Sequence, residues 1–321
     1  MRAVQVARLD GPDAVEIAEV PEPVRAEGQV LVEVKAAGVN FPDLLLTKGM
    51  YQYKPEPPFV LGGEFAGVVR EAPAGSEFAP GDRVAGTSTT GAFAEVVALP
   101  ETFVFPLPDN LDFAAGACLP MNYLTMTFAL ITRGQLRKDE TVLVHGAAGG
   151  IGTATIQLAA ALGARVISVV STPEKAEFVK SIGSHEAVLA DGFKDAVKEL
   201  TGGQGVDMVI DPVGGDRFTD SLRSLAPLGR LLIIGFTAGD IPTVKVNRLL
   251  LNNVDVRGVG WGAYALPRAG YMRQEWDRLV PFLTSGVVDP PISGRFPLER
   301  AGEAVARLGD RTVLGKVVIE P

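Results

Sequence analysis

Cysteine occurs once in these 321 residues, at Cys118, and histidine twice, at His145 and His185. One thiol excludes an intrachain disulfide, and a thiolate zinc site needs several. Positive charge is in the minority: 30 Lys and Arg stand against 38 Asp and Glu, a net −8. That balance argues against a nucleic-acid partner, whose binding rests on basic side chains neutralising phosphates. The N-terminal MRAVQVARLDGPDAV carries charges and lacks an apolar core, so it does not read as a secretory signal, and a cytoplasmic location is expected. Long apolar runs are nearly absent. The one exception is Phe113 to Ile131, FAAGACLPMNYLTMTFALI, which is long enough to span a bilayer. Pro120, Asn122 and further polar side chains interrupt it, and a buried helix is expected there rather than a membrane segment.

What remains is apolar, glycine-rich and ample for two domains. Up to about residue 110, short Val-rich runs such as VQVARL, QVLVEVKAAGV, FAGVVREA and AFAEVVAL alternate with turns such as DGPD, APGD and LPDN. That is the pattern of a small barrel-like β domain. From about Leu119 the rhythm changes. Strand-like TVLVHG, ARVISVV, VDMVIDPV, GRLLIIGF and VDVRGVGW are separated by helical IGTATIQLAAALG, TPEKAEFVKSIG and DRFTDSLRSLAPLG. Such alternation predicts a doubly wound parallel sheet, hence an α/β protein. The last sixty or so residues are mixed and end in the Val-rich strand GKVVIEP.

Between the first strand and the first helix of that sheet lie Ala147, Ala148, Gly149, Gly150, Ile151 and Gly152, an A-x-G-x-x-G turn. Glycine there lets the backbone approach a pyrophosphate, and the helix N-terminus offers unpaired N–H groups and the positive end of its dipole. A second strand follows at the spacing a dinucleotide site requires. Its end reads Val169-Val170-Ser171-Thr172, with no Asp or Glu to hold a ribose 2′-hydroxyl or repel a 2′-phosphate. Ser171 and Thr172 can donate hydrogen bonds and Lys175 can add charge, so NADPH is the expected cofactor. Thr172 and Pro173 also fit a helix cap.

These motifs, with AAGVNFPDLLLTKGMY, PFVLGGEFAGVV, PGDRVAG and DPVGGDRFTDSLRSLAPLGRLLIIGF, make the chain resemble the medium-chain dehydrogenases/reductases along essentially its whole length. It looks closest to their zinc-free quinone oxidoreductase branch; Ala160 departs from that branch's signature. The resemblance implies a GroES-like β-barrel domain (1–118 with 256–321), a Rossmann domain (119–255) and a cleft between them. It also implies a homodimer joined through the edge of the Rossmann sheet, where VDVRGVGWG would lie.

Zinc-dependent relatives place a cysteine at Asn40 and a histidine at Gly63, so neither ligand type is present and no metal site is expected. Without a Lewis acid, hydride transfer to an already electrophilic acceptor is favoured: a quinone or a related conjugated carbonyl. By resemblance, Asn40, Asp43 and Tyr51 line the catalytic site. Asn40 would hydrogen-bond the substrate oxygen, and Tyr51 would donate a proton or hydrogen bond. Asn-x-x-Asp is equally a capping pattern, and Glu64 reads either as a structural carboxylate or as a proton relay. Thr125 would sit beside the nicotinamide carboxamide. Val213, Gly214, Gly235 and Phe236 end Rossmann strands, and Gly315 with Lys316 would close over the cofactor. A thioester- or alkenal-directed C=C reductase shares every one of these features. A cofactor-binding structural or regulatory protein with little turnover is the alternative of another class.

Overall fold

TVLV, RVISVV and VDMVID are β-branched runs with few polar side chains, the composition of strands covered on both faces. In the computed structural model, which describes Met1–Pro321, they form the centre of an all-parallel six-stranded sheet. We number the strands of this sheet alone: β1 (Thr141–Val144), β2 (Arg165–Val170), β3 (Glu186–Leu189), β4 (Val206–Asp211), β5 (Leu225–Ile233) and β6 (Asp255–Gly258). Their spatial order is β3-β2-β1-β4-β5-β6. The order reverses between β1 and β4, and in open α/β sheets ligands bind beyond the carboxyl ends at that point. Helices Gly150–Ala161, Pro173–Ser181, Phe193–Leu200, Phe218–Arg223 and Asn247–Asn252 provide the crossovers. Leu143, Ile167, Val169, Val209 and Leu231 form the core of one buried cluster.

The chain divides into two units, one of Met1–Leu124 with Arg268–Pro321 and one of Thr125–Pro267. The division falls a few residues beyond the change in composition. Leu119, Tyr123 and Leu124 are as apolar as the helices that follow, yet they are buried in the first unit.

The first unit is built mainly on antiparallel strands, with Ile292–Pro297 and Lys316–Glu320 paired in parallel. Val15–Glu19, Arg2–Val6 and Phe59–Val60 form a small sheet. The larger sheet runs Ile292–Pro297, Lys316–Glu320, Gln29–Gly38, Glu64–Glu71, Arg83–Thr87 and Val104–Pro106, with Val96–Pro100 paired to the first half of Gln29–Gly38. The C-terminal strand thus returns to the N-terminal region, and Val318 pairs with Gly38. That return brings Lys316 beside Asn40.

No helix is long and apolar enough to cross a membrane. The stretch 113–131, expected as one buried helix, is broken. Helix Phe113–Gly116 ends before Pro120, and helix Asn122–Thr127 continues into a π-helical stretch over Phe128–Arg133. Proline has no N–H for a continuous helical ladder. The four-residue strand β3, which opens on a glutamate, was not among the expected strands. One further expectation is corrected. The segment LAPLG, expected as the end of a helix, opens β5.

Candidate active site

Where strand Gln29–Gly38 ends, Asn40 starts the helix Phe41–Thr47. The Asp43 carboxylate accepts the Asn40 backbone N–H at 2.8 Å, which is the capping half of the Asn-x-x-Asp pattern. Capping leaves the Asn40 amide to other partners. Its Nδ2 donates to Glu64 Oε1 at 2.7 Å and to the Gly38 carbonyl at 3.3 Å. Its Oδ1 accepts from Lys316 Nζ at 2.7 Å and from Asn122 Nδ2 at 2.8 Å. Lys316 Nζ also donates to Glu64 Oε1 at 2.8 Å and to the Val39 carbonyl at 3.0 Å. Glu64 Oε2 accepts the Met121 backbone N–H at 2.7 Å. The result is a sealed polar knot: Lys316 is 3% exposed and Glu64 0%.

Two expectations change here. Asn40 has no donor left for a substrate oxygen. The ammonium of Lys316 has three acceptors for its three protons, so its side chain has none left for a cofactor. Gly315 is fixed by the backbone. Its φ is +74°, and a Cβ would lie 2.1 Å from the Pro291 carbonyl oxygen, which accepts the Lys316 N–H.

Asp43 lies against the knot and is 1% exposed. Burial pushes its carboxyl up to about 7, against the pull of the Asn40 N–H and the Lys316 ammonium. Tyr51 is half-buried against the same core, and its hydroxyl makes no hydrogen bond within the protein. Burial, then the charge of Asp43, raises the Tyr51 hydroxyl above its ordinary value, so it holds its proton and acts as a donor. Cys118 is fully buried, and burial pushes its thiol up as well, which leaves it unreactive.

In the second unit the turn after β1 leads directly into helix Gly150–Ala161, with Gly149 as N-cap. A Cβ on Gly152 would lie 2.4 Å from the Ala147 backbone, so helix and turn pack here only without a side chain. A Cβ on Gly149 would meet nothing of the protein closer than 3.5 Å. That leaves room over the helix N-terminus for a pyrophosphate, and the residues present fit a dinucleotide. Ala148 is buried, and Ile151 is half-buried at the start of the helix. At the end of β2, Ser171 and Thr172 are exposed. Thr172 Oγ1 accepts the Lys175 backbone N–H at 3.3 Å, so the expected cap is present alongside any cofactor role. Lys175 is half-buried one turn on.

The loop after β4 is held by Asp211, whose Oδ1 accepts the N–H groups of Val213 and Gly214, each at 2.9 Å. Val213 faces the turn after β1 across Gly146. Gly235 and the exposed Phe236 follow β5 at the same end of the sheet. Thr125 is half-buried on helix Asn122–Thr127. Sequence reasoning missed the partnership of Glu64, Lys316 and Asn122. Its one local signal was an asparagine inside the most apolar stretch of the chain.

His145, just beyond β1, is buried, and burial pushes its imidazole down to about 4 against the pull of Asp211. Ser221 Oγ lies 2.8 Å from Nε2 and 3.0 Å from the Arg217 carbonyl. With the hydroxyl proton on Arg217 O, Nε2–H donates to Ser221 and Nδ1 is a bare acceptor without a partner.

Residues 26–109 match the family model described as alcohol dehydrogenase GroES-like domain, and residues 150–285 the one described as zinc-binding dehydrogenase. Over 303 residues, 93% of this chain and 86% of the relative, the sequence is 37% identical to quinone oxidoreductase-like protein 2 of Rattus norvegicus. A probable oxidoreductase from Mycobacterium abscessus superposes with a TM-score of 0.93 at 47% identity, over 100% of this chain and 99% of that one. The Escherichia coli quinone oxidoreductase complexed with NADPH superposes with a TM-score of 0.92 at 28% identity, over 100% of both chains. The chain belongs to the medium-chain dehydrogenase/reductase superfamily, in its zinc-free quinone oxidoreductase branch.

Although one matching description names zinc, the donor set does not fit that ion. No group of three or more His, Cys, Asp or Glu converges anywhere in the structure. At Asn40 the positive charge is already supplied by the Lys316 ammonium, and a dication there would face it directly.

Proposed function

We propose that this chain is an NADPH-dependent reductase of quinones or related conjugated carbonyls. The observation that carries the reading is the end of β2: Ser171, Thr172 and Lys175 follow a phosphate-binding turn, and no carboxylate opposes a 2′-phosphate. Relatives named as quinone oxidoreductases, one of them complexed with NADPH, support it. When bound, the nicotinamide supplies the hydride. The turn Gly149 to Gly152 holds the pyrophosphate, Lys175 faces the 2′-phosphate, and Val213, Gly235 and Phe236 line the same end of the sheet. Tyr51 keeps its proton and offers it, as a hydrogen bond or outright, to the oxygen that gains charge as hydride arrives.

A panel of quinones, enals and enoyl thioesters, each assayed for NADPH oxidation, tests this reading. Turnover confined to enoyl thioesters would move the chain to the other reductase class, and no turnover with any acceptor would leave a cofactor-binding protein without this activity.

We also propose that the chain pairs with a second copy through the free edge of β6, whose ladder is made on one side only. Val246, Leu250 and Leu251 beside it are 70%, 76% and 74% exposed, and burying such side chains is worth about 1.5–3 kcal/mol each. Leu250→Glu with Leu251→Glu should convert a sedimenting dimer to monomer. A wild type that sediments as a monomer contradicts the pairing.

A further inference from the structure

A primary amide offers four hydrogen-bonding positions, two N–H groups and two lone pairs. Asn40 spends all four inside the protein, on Glu64, Gly38, Lys316 and Asn122. Asn122 spends one: its only bond within the protein is from Nδ2 to Asn40 Oδ1. A second N–H and the whole of Oδ1 remain. Oδ1 is not sealed in the interior, because the only enclosed side-chain atoms without any partner are Arg25 Nε and His145 Nδ1. Asn122 itself is 6% exposed, so its amide is held nearly enclosed with a donor and an acceptor unspent.

We propose that Asn122 is the amide that meets the carbonyl oxygen of the hydride acceptor, and that Asn40, Glu64 and Lys316 are positioning residues acting through it. This rests on the carbonyl-reductase reading and assigns a residue within that site. The geometry is preorganised from both ends. Asn40 Oδ1 pins the side chain, and Glu64 Oε2 pins the backbone N–H of the preceding residue, Met121. The free groups match both ends of a two-electron carbonyl reduction. A quinone oxygen is an acceptor only and takes the N–H. The hydroquinone oxygen has gained a proton after hydride transfer and can donate it to Oδ1. One amide serves substrate and product with no change in its own protonation.

The test uses the full chain, a tetramethyl-substituted benzoquinone and its hydroquinone. Asn122→Leu keeps the volume and removes both polar groups. Losing one hydrogen bond of ordinary net strength predicts a fall of roughly tenfold in kcat/KM for the quinone. Calorimetry should show a similar loss of hydroquinone affinity. NADPH affinity should stay at its wild-type value, and Tm should fall by only roughly a few degrees, for the Asn40 bond lost with the side chain. In the wild-type protein, the 15N side-chain amide resonance of Asn122, assigned through its own backbone connectivities, should shift and saturate as hydroquinone is added, with that of Asn40 unmoved. An unchanged kcat/KM, an equal loss of NADPH affinity, or a silent Asn122 amide while hydroquinone binds would each overturn the assignment. A wild type that reduces no carbonyl acceptor fails differently, by removing the reductase reading itself and the assignment with it.

Discussion

In the first unit Lys316 and Glu64 are sealed from solvent and remain a charged pair. In the second, His145 is 1% exposed and sheds its charge. Both arrangements answer the same cost, that of an ion in a low-dielectric interior. The histidine escapes by staying neutral and tolerating one unmatched lone pair. In the pair, every ammonium proton and every carboxylate oxygen has a partner. Replacing a buried ion pair by apolar side chains is often neutral or stabilising, so stability alone does not account for keeping one. What the knot contributes is position: it fixes Asn40 and, through Asn40, Asn122.

The largest effect should follow from breaking the pair on one side. Lys316→Met leaves Glu64 buried without its counter-ion, and denaturant unfolding should show a loss of about 3–5 kcal/mol. Adding Glu64→Gln to Lys316→Met should return most of that stability without returning turnover. Recovery of both would reduce the knot to a structural staple.

A pH titration of stability sharpens the contrast. Asp43 is raised from 3.8 to about 7, so its contribution is fully present below 3.8 and is lost as pH rises through 7, about 4 kcal/mol in all. His145 is lowered from 6.5 to about 4, so its contribution is present above 6.5 and is lost as pH falls through 4, about 3 kcal/mol. The two slopes oppose one another between about 4 and 6.5 and flatten the wild-type curve there. Asp43→Asn should expose a loss towards acid, and His145→Gln a loss towards neutral pH. Identical curves for both variants would mean that neither group titrates as its burial requires.

Smaller effects belong to binding. Lys175→Ala should weaken NADPH by roughly ten- to a hundredfold, the worth of a charge-assisted bond, and leave NADH nearly unchanged. Dissociation constants at one ionic strength measure it, since exposed charges are screened. Equal weakening of both cofactors would show that the lysine does not read the phosphate. Smallest is Tyr51→Phe. If the hydroxyl only orients the acceptor, the loss is about 0.5–1.5 kcal/mol in kcat/KM. A fall of roughly a hundredfold or more in kcat would make it the general acid.

The second unit was largely legible in the sequence because its signals are local. β1, the glycine turn, helix Gly150–Ala161 and β2 follow one another within thirty or so residues, and the missing carboxylate at Ser171 is read at a fixed distance from the turn. The doubly wound alternation was read from the sequence without a strand order, and β3 itself escaped because four residues at a sheet edge carry little pattern. The knot was not legible. Asn40 and Lys316 are 276 positions apart, Glu64 and Lys316 are 252 apart, and Asn40 and Asn122 are 82 apart. No periodicity links them; tertiary structure brings them together, Lys316 through the pairing of the C-terminal strand with Gln29–Gly38 and Glu64 at the start of the strand on its other side. Resemblance singled out Asn40 and Lys316, and assigned Asn40 a hydrogen bond to substrate for which its side chain has no free donor.

The proposal stands on the Lys316 ammonium at Asn40, the position where resemblance puts a ligand of zinc-dependent relatives, and on the turn and β2 end proposed to select NADPH. The most direct measurement is quinone-dependent oxidation of NADPH and of NADH by chelator-treated protein. The prediction is full activity after chelation, with NADPH strongly preferred to NADH. Activity that vanishes on chelation and returns with zinc, or a wild type that prefers NADH, would contradict it.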